Sequence, residues 1–126
     1  MPKKKSFFIT VLKWLPALFI ISCSFYLSSL PKIEKMPSFW NADKLVHCIC
    51  FAGLAFWVEF AVFSKEKITF SIIFAILFVC VYGIIDEIHQ SFTPGRSASV
   101  FDWIADSLGA TIGPFLYLLA RKLCHV

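Results

Sequence analysis

Three short groups of ionisable residues in this 126-residue chain have spacings suited to acid–base or ligand-binding chemistry. Asp43, Lys44 and His47 form the first, Asp86, Glu87, His89 and Gln90 the second, and Asp102 and Asp106 the third, with Arg96 between the last two. Asp43 and His47 are four residues apart, as are Asp86 and Gln90, and Asp102 and Asp106. Residues four apart on a helix share a face, so each pair presents its polar groups together. A histidine beside aspartates can act as general base or acid, and two carboxylates in different surroundings can divide those roles. His47, Asp43, Asp86 and Asp106 are therefore the candidate acid–base residues. Arg96 and Lys44 are candidates for holding phosphate or carboxylate, since guanidinium offers a bidentate fork to both anions. Glu87, Gln90 and Asp102 complete the candidate substrate-binding set.

No metal ligand or cofactor is assigned, because H-E-x-x-H and other diagnostic metal motifs are missing from the sequence. A divalent ion on His47 with Asp43, Asp86, Asp102 or Asp106 stays an alternative, as these N and O donors suit Zn, Mn or Mg. Ser91, Ser97 and Ser99 read as loop and cap residues, and no activated Ser or Cys is evident. The five cysteines are odd in number and show no C-x-x-C spacing. They read as small hydrophobes within apolar runs.

The elements that must carry these residues are membrane spans. The chain is 59% hydrophobic, whereas soluble domains have about 45–50% apolar residues. Four stretches approach the length of about 20 apolar residues that a spanning helix needs: 14–30, 45–63, 68–85 and 100–119. The expected fold is thus all-α, a polytopic membrane protein forming one four-transmembrane-helix bundle over residues 1–126. Its partner is the lipid bilayer. The net charge of +4 forms no basic stripe interleaved with exposed aromatics, so nucleic acid is not an expected partner. Lys and Arg favour the cytoplasmic side, and counting them puts both termini there. Lys3, Lys4, Lys5, Lys13, Lys65, Lys67, Arg121 and Lys122 then lie inside, against Lys32, Lys35, Lys44 and Arg96 outside. "IISC" (Ile20–Cys23) resembles a lipoprotein cleavage box, but the apolar run continues to Leu30 as an uncleaved span would.

On this topology the charge collects in one layer at the outer ends of three helices. Asp106 lies about 9 Å into its helix at 1.5 Å per residue. A carboxylate facing hydrocarbon there costs about 2.5–3.5 kcal/mol, so it needs a polar partner. Asp102, Asp106, Gly109 and Gly113 form one stripe whose Gly-x-x-x-Gly half admits a neighbouring helix. The acidic half must then face protein. Glu59 is expected to pair with Lys13 near the inner surface, or the two to snorkel, and Phe39, Trp40 and Trp103 to anchor at the interface.

The pieces "FYLSSLP" (Phe25–Pro31), "DKLVHCICF" (Asp43–Phe51) and "YGIIDEIHQSFTPGRSASVFDWIADSLGA" (Tyr82–Ala110) resemble the VanZ-like family of small bacterial membrane proteins. The resemblance covers most of the chain. It implies a place in the bacterial cytoplasmic membrane and an association, through the founding member, with resistance to the glycopeptide teicoplanin. Its motif residues fall here on Asp43, Lys44, His47, Asp86, Glu87, Gln90, Pro94, Arg96, Asp102, Asp106 and Gly109. Three readings follow. The outer layer binds or modifies a polar headgroup, such as that of a lipid-linked cell-wall intermediate. It is an acid–base or metal-dependent enzyme site acting on such a substrate. Or it is a buried network that fixes helix order. The residues do not decide between binding and turnover, nor fix the oligomeric state.

Overall fold

The computed structural model describes residues 3–31 and 42–125. Its helices are α1 (Lys3–Ser28), α2 (Ala42–Val62), α3 (Ile68–Ser91) and α4 (Val100–Leu123), with a 3-10 turn at Lys65–Lys67. All four are long and apolar enough to cross a membrane, and no strand occurs among the described residues. The four-span, all-α expectation holds. The helices outrun the apolar segments, however. α1 begins at Lys3 rather than near Trp14, because lysine is a good helix former and nothing before Trp14 interrupts the backbone ladder. α3 continues past Ile85 to Ser91 and so holds Asp86, Glu87 and Gln90 within its last two turns.

Apolar side chains cover the outside. Phe7, Phe19, Phe70, Leu77, Phe101 and Leu108 are all more than half exposed. Such a surface would drive association in water; in a bilayer it is what lipid tails contact. The interior is built from Phe51, Leu54, Ala55 and Val58 of α2, Ala75 and Val79 of α3, Ala110 of α4 and Ala17 of α1. Many of these are small, as expected where helices associate by close packing rather than by escape from water.

The tightest seam joins α2 to α4. A Cβ placed on Gly109 would run into the Cys48 carbonyl oxygen and the Ala52 amide nitrogen. One placed on Gly113 would meet the Ala52 carbonyl and the Ala55 Cβ. The glycine pair thus admits the α2 backbone, as the stripe 102, 106, 109, 113 predicts. This packing has a consequence one turn away. His47 precedes Cys48 and Asp106 lies one turn before Gly109, so the seam that joins the two backbones also brings these side chains together.

α1 sits at the edge, with only Ala17 and Ser28 buried among its described side chains. It is fixed by the Trp14–Phe78 ring contact at 5.6 Å and by the Tyr82 hydroxyl donating to the Ile21 carbonyl at 3.2 Å. The Thr93 hydroxyl donates to the Ser28 carbonyl at 2.9 Å. Short connections make successive helices antiparallel, so the ends of α1 and α3 and the starts of α2 and α4 lie together. This polar end carries the residues singled out above.

Candidate functional site

His47 is the centre of the polar end. Its Nδ1 lies 2.9 Å from Asp106 Oδ1, with the histidine side chain 16% exposed and the aspartate fully buried. The pair spans the α2–α4 seam. Phe51, one turn below His47, stacks on the imidazole and on Tyr82 of α3, giving the ring an apolar floor. Asp106 also lies over Gly83 of α3, where any Cβ would touch the carboxylate. Lys44 Nζ approaches Asp102 Oδ1 at 3.3 Å, a second link between α2 and α4 at the mouth of the bundle.

Glu87 fixes the start of α4. Its Oε2 accepts from the Ser99 backbone N–H at 3.0 Å, while the Ser99 hydroxyl accepts from the Asp102 N–H at 3.4 Å as an N-cap. Ser99 is therefore a cap residue, as its sequence position suggests. The preceding turn has a defined form. Arg96 N–H donates to the Thr93 carbonyl at 3.1 Å and Gly95 has φ +79°. These are the marks of a type II turn with proline at its second position and glycine at its third. The turn carries Arg96 back over α3.

Arg96, His47, Asp86 and Gln90 line one cleft of about 80 Å³, together with Ser24 and Ser28 of α1 and the apolar Leu27, Val46 and Phe51. The Arg96 guanidinium forms no ion pair with a described carboxylate. Asp86 is buried, with the Ser28 hydroxyl beside it. Asp86 Oδ1, Glu87 Oε1, Gln90 Oε1 and Asp106 Oδ2 are all buried without a hydrogen-bond partner. Buried polar atoms in folded proteins are nearly always satisfied. Four unsatisfied oxygens at one end of a bundle are therefore capacity for something beyond the described side chains.

The structure brings together His47, Asp86, Glu87, Gln90, Asp102, Asp106, Lys44 and Arg96, all drawn from the sequence. The side chain of Asp43 lies outside the described residues, as do Phe39 and Trp40. The imidazole is oriented by Asp106, and no hydrogen bond joins Asp86 to Asp106 as a carboxylate pair. His89 is turned aside: it bonds the Ser29 hydroxyl at 2.8 Å and stacks on Phe25, tying α3 to α1. Two other expectations change. Glu59 does not pair with Lys13, which is exposed; it accepts from the Ser71 hydroxyl at 2.7 Å. The Trp103 indole donates to the Cys80 carbonyl at 3.2 Å, so this ring binds α4 to α3 rather than serving only as an interfacial anchor. Ser24 and Ser28 join the cleft wall although sequence reasoning passed over them. Their i,i+4 spacing on the first span was the available signal.

The family described as VanZ/LLP1 matches residues 3–121. No curated protein and no solved structure matches the chain. The match spans nearly the whole sequence, including every residue of the polar end, and the chain belongs to the VanZ/LLP1 family.

Proposed function

We propose that the polar end binds the anionic part of a membrane-embedded envelope component, such as the phosphate of a lipid-linked cell-wall intermediate. The observation that carries this reading is Arg96. It is a half-buried guanidinium lining a cleft, with no carboxylate bound to it among the described residues. Unpaired, it offers up to two parallel N–H donors to one phosphate or carboxylate. The cleft has room for a small anionic group rather than a whole headgroup. Its mixed wall suits a ligand that is apolar on one side and charged on the other. Asp86, Gln90 and Ser24 provide acceptors and donors for sugar or amine groups next to that anion. The lysine and arginine distribution favours an outward position for this end, the side on which wall assembly occurs. The family's association with glycopeptide resistance accords with handling a wall precursor.

A second reading is favoured by the His47–Asp106 pair. A buried aspartate 2.9 Å from an imidazole nitrogen fixes the ring and prepares its other nitrogen for proton transfer. Under this reading the ligand bound at Arg96 is also turned over.

Native mass spectrometry of the detergent-solubilised protein tests the binding step. A lipid-linked diphosphate should remain bound to wild type. Arg96→Gln should weaken it roughly tenfold or more, since a hydrogen bond to a charged group contributes about 1.5–3 kcal/mol. Equal binding by wild type and the variant would refute the reading.

A further inference from the structure

A second constellation shares His47 with the Arg96 cleft. His47, Glu87 and Asp106 each offer a ligand atom, and these atoms lie within 4.8 Å of one another. The three come from three different helices, α2, α3 and α4. Glu87 is 6% exposed and Asp106 fully buried. Each carboxylate has one oxygen already engaged: Glu87 Oε2 by the Ser99 N–H, Asp106 Oδ1 by the imidazole. Each has its other oxygen, Glu87 Oε1 and Asp106 Oδ2, buried and without a partner. Two buried carboxylates thus share one small space, each with an oxygen to spare.

We infer that His47, Glu87 and Asp106 form a binding site for a divalent transition-metal ion. The inference goes beyond the headgroup reading and needs no lipid. Three observations support it. First, the spacing is close to that of an ion site. Ligand atoms about 2.1 Å from one ion lie at most about 4.2 Å apart, and the three here lie within 4.8 Å of one another, so a side-chain shift of about half an ångström suffices to close on an ion. Second, the charge balance fits. Lys44 is placed against Asp102 at the mouth, and no lysine or arginine reaches Glu87 or Asp106 among the described ion pairs. A divalent cation would neutralise both. Third, the supporting shell is in place. The Ser99 N–H orients Glu87, and Phe51 packs against His47; outer contacts of this kind position metal ligands.

One imidazole and two carboxylates are mixed N and O donors. They favour a first-row ion such as Zn²⁺ or Mn²⁺ over Ca²⁺ or Mg²⁺, which take oxygen almost alone. Three protein ligands leave at least one coordination position for water or another ligand. His47 also lines the Arg96 cleft, so the ion would share its histidine with the anion site.

The test is metal binding to the full chain in detergent, after chelator treatment and desalting. Zn²⁺ and Mn²⁺ are titrated by calorimetry, and retained metal is counted by elemental analysis. Wild type should take up one ion per chain. Glu87→Gln and Asp106→Asn should each lower affinity at least about tenfold, with helical circular dichroism and elution volume unchanged. Glu59→Gln, a buried acid at the far end of α2, should bind like wild type. Should either site variant misfold, the Mn²⁺ paramagnetic resonance of wild type still decides, because it must show coupling to one imidazole nitrogen. Failure to retain stoichiometric metal, no nitrogen coupling, or an equal loss in Glu59→Gln would overturn the inference. None of these outcomes depends on Arg96 or on lipid, so this site can fail while the anion site stands.

Discussion

α2 carries buried ionisable groups near both its ends, His47 at one and Glu59 at the other, and the two surroundings differ in kind. Glu59 is fully buried and accepts one hydrogen bond, from Ser71 of the neighbouring helix. No cation pairs with it among the described residues. It is a single polar link between two helices, made through Oε1, while Oε2 is buried without a partner. Around His47, three helices and a turn bring four carboxylates, a lysine, an arginine and a histidine into one layer, and several of their oxygens stay unsatisfied. Each unmade bond of a buried polar group costs about 1–3 kcal/mol. Glu59 carries one such deficit, at Oε2, whereas the polar end gathers four, from α3 and α4, beside a cleft that Arg96 and His47 line. The clustering of deficits around a cation-lined cleft, and not burial or a single unsatisfied oxygen, is what separates the two ends.

Variants can sharpen or break this contrast. The largest effect is expected from Asp106→Ala. It leaves the His47 ring without its carboxylate, and removing one partner of a buried pair costs about 3–5 kcal/mol. Thermal unfolding in detergent should show a large fall in Tm. A smaller effect is expected from Gly109→Ala, where the new methyl meets α2 backbone atoms that have no flexible end to yield. Overpacking of this kind costs about 1–3 kcal/mol, and separating the seam should also weaken ligand or metal binding through His47. Ser71→Ala should cost about 1 kcal/mol by removing the hydrogen bond to Glu59, with ligand and metal binding unchanged. If Ser71→Ala abolished binding, the two ends would not be functionally distinct. Smallest in stability is Arg96→Gln, on a solvent-accessible turn, where the change should stay within about 0.5 kcal/mol while ligand binding weakens about tenfold or more.

The spans, the polar layer and the close α2–α4 approach were all legible in the sequence, each for a local reason. Apolar length gives a span, i,i+4 spacing gives a face, and Gly109 with Gly113 gives a gap. Partner identity was harder. Helical periodicity says which face Asp106 occupies, but only packing shows that His47 sits opposite it. Charge and depth point Glu59 to Lys13, yet α3 starts beside it and supplies Ser71, a neutral partner. Ser24 and Ser28 were missed because a serine on an apolar span ordinarily bonds its own backbone. Glu87 was read as a ligand contact, while the structure also makes it the residue that holds the start of α4.

The polar end is proposed to be a site and not a scaffold. The most direct test compares thermal unfolding of wild type and Arg96→Gln in detergent, each with and without a lipid-linked diphosphate. Equal Tm values without ligand, and a larger upward shift with ligand in wild type than in the variant, are expected. A lower Tm for Arg96→Gln without ligand, together with no shift in either protein, would contradict the proposal and leave the layer as a device for ordering helices.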